Sequence, residues 1–119
     1  MKQITAVVRP GKVDAVKAAL VAIDVVGMTI NDVRGFGRQK GQVEIYRGNE
    51  FKVEFLSKMR ITTVVADDKV EAVIEAISEA ARTGEIGDGK IFIAPIEEVV
   101  RSAPAIAATR PSEAQSDSI

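Results

Sequence analysis

Two strand–helix–strand patterns follow one another along the chain. The first begins with apolar and β-branched residues over Lys2–Val8, which predict a strand that Pro10-Gly11 ends. A second strand is predicted over Met28–Val33, and Gly27 is the expected end of the helix between these strands. The apolar stripe that predicts this helix consists of Val13, Val16, Leu20 and Ile23.

The second pattern begins with a strand predicted over Met59–Ala66. Asp68 with Glu71 three residues later is typical of a capping box at a helix start, and Gly84 stands where a helix commonly ends. A fourth strand is predicted over Ile91–Ala94. The apolar stripe of the second helix consists of Val70, Val73, Ile74 and Ile77.

This order of elements predicts an α+β fold. It is the ferredoxin-like βαββαβ arrangement, in which an antiparallel sheet carries two helices on one face. A short extended piece is expected over Glu97–Arg101. The residues after it, 102–119, are rich in Ala, Ser and Pro and are predicted to form a tail outside the domain.

The long connection between the two patterns, residues 34–58, has two interpretations. Apolar residues alternate on both sides of a turn-like sequence at 47–50, which is typical of a β-hairpin. Connections of this length are otherwise functional or disordered, and the residues alone leave a hairpin and a mobile loop equally open. A projecting hairpin would expose its apolar face and so indicate a protein partner. The alternating residues are Val43, Ile45, Phe51, Val53 and Phe55.

Composition narrows the classes of function. The 119 residues suit one compact domain, and 46% of them are apolar. A net charge of −1 without a basic block argues against nucleic-acid binding. The absence of Cys and His excludes disulfides and thiol catalysis and disfavours a transition-metal site, whereas a hard cation held by oxygen atoms stays compatible with the sequence. Because no signal-peptide pattern and no membrane-length apolar run is present, a cytoplasmic location is expected.

A glycine-rich segment, Thr83–Lys90, is the strongest candidate for chemistry. Its glycines at 84, 87 and 89 allow backbone N–H groups to converge on an anion, to which Lys90 adds a positive charge. It is not a P-loop, because Ile91 replaces the Mg²⁺-binding Ser or Thr and because the segment follows a helix. On the local pattern alone, a helix C-cap followed by a tight turn is the better explanation, and each single cation is better explained as solvated surface.

Four segments together resemble the PII family of signal-transduction proteins. They are PGK at 10–12, GFGRQKG at 35–41, YRG at 46–48 and ARTGEIGDGKIF at 81–92. The resemblance implies a ferredoxin-like domain over residues 1–101 that assembles as a homotrimer, with 37–55 as the T-loop and 102–119 as a divergent tail. It also implies a regulatory protein and not an enzyme.

The resemblance further implies that an adenine nucleotide (ADP, ATP or AMP) binds in the clefts between subunits, with no catalytic cofactor. Gln39, Lys58 and Gly87 would bind a small effector, and Gln39 would also be the protein ligand of a Mg²⁺ bound through the nucleotide. The T-loop would dock on a transporter or enzyme, and membrane contact would be made through a transporter partner alone. The implied nucleotide-binding residues are Val7, Thr29, Gly35, Phe36, Gly37, Arg38, Gln39, Val64, Gly87, Asp88, Gly89, Lys90 and Arg101.

Four departures from the family pattern lead us to expect a diverged, PII-like member. Phe51 replaces the Tyr that is uridylylated in many members, and Asn49 replaces the Ser phosphorylated in cyanobacterial members, so covalent switching at these positions is excluded. The segment Arg101-Ser102-Ala103 lacks the second arginine of the family's R-x-R, a loss of ~1.5–3 kcal/mol in phosphate binding. Thr62 replaces an acidic residue of the adenine cleft.

These departures favour a sensor of ADP, AMP or ATP with bicarbonate as its effector, of the carboxysome-associated kind. The alternative is a conventional nitrogen regulator that senses ATP or ADP and 2-oxoglutarate, which the presence of Gln39 and Lys58 supports. A small nucleotide hydrolase is a third hypothesis, although the sequence contains no evident general acid or base. A purely structural trimer would require the glycine-rich segment to bind nothing.

Overall fold

The computed structural model describes residues 1–36, 43–46, 50–53, 55–85, 88–100 and 102, with the segments 43–46 and 50–53 described by their backbone. A 3₁₀ turn precedes each helix, at Pro10–Lys12 and at Asp67–Lys69. In chain order the elements are β1 (Lys2–Val8), α1 (Val13–Ala22), β2 (Thr29–Phe36), β3 (Val43–Tyr46), β4 (Glu50–Val53), β5 (Phe55–Val65), α2 (Val70–Ala81) and β6 (Gly89–Pro95).

Among the described residues, β2, β5, β1 and β6 form one antiparallel sheet in that spatial order. The two β-α-β halves interleave, because β5 of the second half lies between β1 and β2 of the first. Helices α1 and α2 contact one another and share a core with one face of the sheet. The predicted α+β, ferredoxin-like arrangement is therefore confirmed.

The core lies between the sheet and the helices, because alternate residues of the central strands point towards the helices. The intervening residues of the same strands, such as Val7 and Val64, lie on the opposite face of the sheet, where neither described helix packs. Phe92 on that face is 56% exposed. The buried apolar residues are Ile4, Ala6, Val8, Val16, Leu20, Val25, Ile61, Val65, Val73, Ile77 and Ala81.

Helix α1 ends earlier than the sequence predicts, at Ala22 instead of Gly27. The left-handed residue that turns the chain is Asp24, with φ 65°, and the N–H of Val25 donates to the carbonyl of Leu20 at 2.9 Å. Asp is one of the few non-glycine residues that tolerate this conformation. Gly27 has a different role: its buried carbonyl accepts a hydrogen bond from Thr63 Oγ1 at 2.7 Å.

The predicted capping box of α2 is also wrong. Asp68 lies inside the 3₁₀ turn, and Lys69 occupies the N-cap without a side-chain hydrogen bond to the helix. Gly84 does follow the end of α2 with a positive φ of 88°, as expected. Residues 97–100, expected to be extended, belong to no strand.

The hairpin interpretation of the long connection is confirmed for the described backbone. Strands β3 and β4 pair antiparallel, with Val43 opposite Val53 and Tyr46 opposite Glu50. They form a two-stranded sheet separate from the main one. Strand β5 starts at Phe55, four residues before the predicted start, so it continues almost directly from β4.

Candidate ligand-binding site

The sheet register brings charged residues from three strands into one row at the end of the sheet. Val8 pairs with Met59 on one side and with Gly89 on the other. The next residue, Arg9, therefore lies between Lys58 and Asp88. Its Nε donates to Asp88 Oδ1 at 3.2 Å, and the two side chains are 29% and 25% exposed.

Asp88 accepts hydrogen bonds from two directions. Besides Arg9, it accepts the backbone N–H groups of Thr83 at 2.8 Å and Gly84 at 2.9 Å, and also the Thr83 hydroxyl. These donors, Thr83 above all, hold the pKa of the Asp88 carboxyl well below its ordinary value. The converging N–H groups predicted from the glycine pattern are thus present in part, and in this structure they bind the chain's own carboxylate.

Lys58 lies beside this ion pair in a half-buried position. Burial is the main cause that lowers the pKa of its amine, the charge of Arg9 lowers it further, and the charge of Asp88 opposes the shift. Two cations held near each other and partly out of water favour an anionic ligand. Lys58 also lines a depression of about 430 Å³, together with Pro10, Asp32, Val33, Arg34 and Ser57.

A second depression, of about 360 Å³, lies where α2 ends and β6 begins. Arg82, Asp88, Gly89 and Lys90 contribute to its lining. Gly89 has φ 124°, and an added Cβ would overlap the Val7 carbonyl oxygen and stand 3.0 Å from its carbonyl carbon. Glycine at this position is therefore required by the close approach of β1 and β6.

Gly35 is explained differently. A Cβ at this position would meet Lys58 Cγ at 3.6 Å and the Leu56 carbonyl oxygen at 3.9 Å, both ordinary contacts. Packing among the described residues thus gives no reason for glycine here. A missing side chain beside the aliphatic part of Lys58 leaves room for a ligand to approach the backbone.

The described candidates divide into two groups. Thr29 pairs with Thr62 and Val64 pairs with Gln3, six residues along the strands from Gly35 and Lys58 respectively. At about 3.4 Å per residue, roughly 20 Å separates Thr29 from Gly35 and Val64 from Lys58, and the paired Val7 and Lys90 lie between these levels. We call the group around Lys58 the sheet-end cluster, and it consists of Val7, Arg9, Gly35, Lys58, Asp88, Gly89 and Lys90. Thr29 and Val64 form the distal pair.

Phe36, also implied for the nucleotide, lies at the hairpin end of β2. Its ring is 64% exposed and lies 5.1 Å from the Phe55 ring, centroid to centroid, at an interplanar angle of 48°. This geometry is within the range of favourable aromatic pairs. The other predicted site residues, Gly37, Arg38, Gln39, Gly87 and Arg101, lie outside the described residues, as do the side chain of Phe51 and Asn49.

Sequence reasoning missed Arg9, and it gave no role to Thr83 although Thr83 begins the glycine-rich segment. Arg9 follows a strand and precedes Pro10, a position without a functional signal of its own. Its importance appears once β1 is placed between β5 and β6, because 79 residues separate it from Asp88 along the chain. A useful signal would have been the pairing of the N-terminal strand with both segments that carry candidate cations.

Two kinds of site are not found in the described part of the chain. Its carboxylates form no group of three or more that could hold a metal ion, and the Mg²⁺ ligand implied by resemblance, Gln39, lies outside that part. The helices described are also too short or too polar to cross a membrane.

A family model described as nitrogen regulatory protein P-II matches residues 1–105. The chain therefore belongs to the P-II family, whose members are regulatory signal transducers and not enzymes. It is similar to the nitrogen regulatory protein P-II of Microchaete diplosiphon, at 60% identity over 101 residues that cover 85% of this chain and 90% of the relative. The P-II protein of Rhizobium meliloti is 54% identical over the same shares of the two chains.

The fold agrees with a solved member of the family. The crystal structure of Arabidopsis thaliana PII bound to citrate matches with a TM-score of 0.72 and 38% identity, covering 90% of this chain and 84% of that one. The relatives carry the nitrogen-regulatory name at high identity, so the comparisons support the nitrogen alternative better than the bicarbonate sensor favoured by the sequence departures.

Proposed function

We propose that this chain is a nitrogen-regulatory PII protein that binds ATP or ADP together with 2-oxoglutarate and signals through the T-loop at 37–55 to a transporter or enzyme in the cytoplasm. One observation carries the proposal: Lys58 and Arg9 lie side by side next to the segment of Gly89 and Lys90. Two anions of different kinds can thus be bound within one end of the sheet.

The effector half of the proposal rests on Lys58 and Arg9. A dicarboxylate that accepts hydrogen bonds from both would gain about 1.5–3 kcal/mol from each charge-assisted contact. The Arabidopsis relative is a PII protein bound to citrate, which supports a carboxylate as the class of ligand. Bicarbonate carries a single charge and matches two adjacent cations less well.

The nucleotide half rests on the separation of the two groups of residues. Within one chain, Thr29 lies six residues along β2 from Gly35, and Val64 lies six residues along β5 from Lys58, so one nucleotide would have to span roughly 20 Å to reach both ends of the sheet. The uncovered sheet face, with Val7, Val64 and the exposed Phe92, offers an apolar surface for association. We infer a homotrimer in which the cluster of one chain and the distal pair of its neighbour form each nucleotide cleft.

Isothermal titration of the purified protein with ATP, ADP and AMP, each with and without 2-oxoglutarate and Mg²⁺, tests the proposal. We expect micromolar ADP and ATP binding, and at least about fivefold tighter ATP binding when 2-oxoglutarate is present, because linked ligands change each other's affinity by the same factor. Lys58→Gln should abolish the effect of 2-oxoglutarate, and Lys69→Gln, at the start of α2, is the matched control.

The outcomes separate the hypotheses. No heat with any nucleotide would refute nucleotide sensing and favour a structural trimer. Tightening of nucleotide binding by bicarbonate but not by 2-oxoglutarate would restore the carbon sensor. Consumption of ATP at a useful rate, abolished by Lys90→Ala, would show an enzyme.

A further inference from the structure

Asp88 has a bonding arrangement that phosphate binding does not explain. A carboxylate repels a phosphate, yet this one lies within the segment implied for the nucleotide. Its two oxygens have different partners: Oδ2 accepts the backbone N–H groups of Thr83 and Gly84, whereas Oδ1 accepts Arg9 Nε and the Thr83 hydroxyl. Asp88 therefore connects the turn after α2 to the residue after β1.

Each end of this connection leads to one of the two anion sites. The turn at Thr83 and Gly84 leads through Asp88 into Gly89 and Lys90, on the phosphate side. Arg9 neighbours Lys58, on the effector side. Gly89 is fixed against the Val7 carbonyl, so the β1–β6 pairing leaves little freedom for the segment to adjust independently of Arg9.

We propose that Asp88 is a positioning residue that couples the two anion sites, holding Arg9, the neighbour of Lys58, with Oδ1 and holding the backbone of the turn before Lys90 with Oδ2. The identity of the two ligands rests on the proposed function above. A guanidinium has five N–H donors in a fixed planar arrangement, so the hydrogen bond from Nε–H to Asp88 also fixes the orientation of the whole group. An effector bound beside Lys58 fixes Arg9, and through Asp88 it fixes the turn that presents Lys90 to the phosphates.

The amide variant Asp88→Asn tests the connection with almost no change in size. An amide retains one acceptor oxygen and places N–H donors where the other oxygen was. With its oxygen in the place of Oδ1, the amide keeps Arg9 and the Thr83 hydroxyl but loses the backbone N–H groups of Thr83 and Gly84. With its oxygen in the place of Oδ2, it keeps those N–H groups but loses Arg9. The measured quantity is the coupling factor, the Kd of ATP without 2-oxoglutarate divided by the Kd with saturating 2-oxoglutarate, both with Mg²⁺.

We expect the coupling factor of Asp88→Asn to fall to about 2 or less from a wild-type value in the ordinary range of about 5 to 150. Because the factor is a ratio of two Kd values of the same variant, a change in ATP affinity alone does not alter it. Thr83→Ala keeps the charge and the backbone donors but removes one hydroxyl donor, so its factor should be intermediate. The matched control is Asp67→Asn, because Asp67 pairs with the Met1 amine at 3.0 Å at the opposite end of β1.

The outcomes distinguish this inference from the proposed function. Wild-type protein that binds no nucleotide would overturn both. Wild-type coupling that persists in Asp88→Asn would overturn the inference alone, and so would a variant that loses ATP binding outright, since Asp88 would then be a binding or folding residue. If Asp88→Asn fails to fold, Thr83→Ala decides, and an unchanged coupling factor overturns the inference.

Discussion

Gly89→Ala should be more damaging than the same substitution at Gly11, Gly35 or Gly84. The added Cβ would overlap the Val7 carbonyl oxygen and would stand 3.3 Å from Val8 Cα, and all of these atoms belong to paired strands that have no flexible end to move. A φ of 124° adds strain that L-residues rarely tolerate. Overpacking and backbone strain each contribute about 1–3 kcal/mol, so a total loss of roughly 2–6 kcal/mol in the free energy of unfolding is expected.

Urea denaturation followed by far-UV circular dichroism at fixed protein concentration measures this loss, and a fall in Tm of about 6 °C or more should accompany it. Two glycines serve as matched controls. A Cβ added at Gly84 would meet no atom within 4 Å, but the residue would keep its positive φ. Gly84→Ala therefore measures the cost of backbone strain alone, about 1 kcal/mol in the free energy of unfolding. Gly11→Ala adds neither a close contact nor a positive φ, so it should leave the free energy of unfolding unchanged.

The order of the three glycine variants by loss of stability is the strongest test of this prediction. If Gly89→Ala unfolds within about 0.5 kcal/mol of the wild type, the close approach of β1 and β6 at this point is wrong. If Gly84→Ala is as damaging as Gly89→Ala, the positive φ accounts for the whole effect, and the overlap with Val7 contributes nothing.

Three further changes have expected outcomes. Thr63→Val should lower the free energy of unfolding in urea by about 1–3 kcal/mol, because the buried Gly27 carbonyl loses its donor, whereas Thr63→Ser should lose much less. Asp24→Asn should raise the free energy of unfolding by about 0.3–1 kcal/mol, and the Tm with it, because it removes a negative charge after the end of α1. Asn tolerates the φ of 65° at this position. A gain in stability that persists in 1 M salt would contradict this explanation. The lowered pKa of Asp88 means that its contribution to stability is present above the unfolded pKa of about 3.9 and is lost as pH falls further, so Asp88→Asn should flatten the urea-midpoint curve below about pH 4.

The sequence predicted the elements well where local pattern decides them. The predicted bounds of β1 agree with the structure because an alternating apolar strand stands directly before a proline. The end of α1 was misplaced because a glycine is the usual signal for such an end, while the actual turn uses Asp24. Strand β5 begins at Phe55 because residues assigned to the hairpin arm continue without a break into the main sheet.

The candidate site was predictable in part for a different reason. Motif resemblance identified Lys58, Asp88 and Lys90 one by one, but it contains no information about which of their atoms face each other. The contact of Arg9 with Asp88 depends on the register of two strand pairs, and local sequence does not encode register between distant strands. The use of Asp88 as the anion of its own turn is likewise visible only in three dimensions.

The separation of the distal pair from the sheet-end cluster has a genetic consequence. If each cleft is shared by two chains, a subunit damaged at Thr29 still supplies an intact cluster to its neighbour, and a subunit damaged at Lys90 still supplies an intact distal pair. Around a closed ring of three, any mixture of the two mutants contains a junction where both contributions are sound. Two alleles that are each inactive alone would then complement one another when expressed in the same cell.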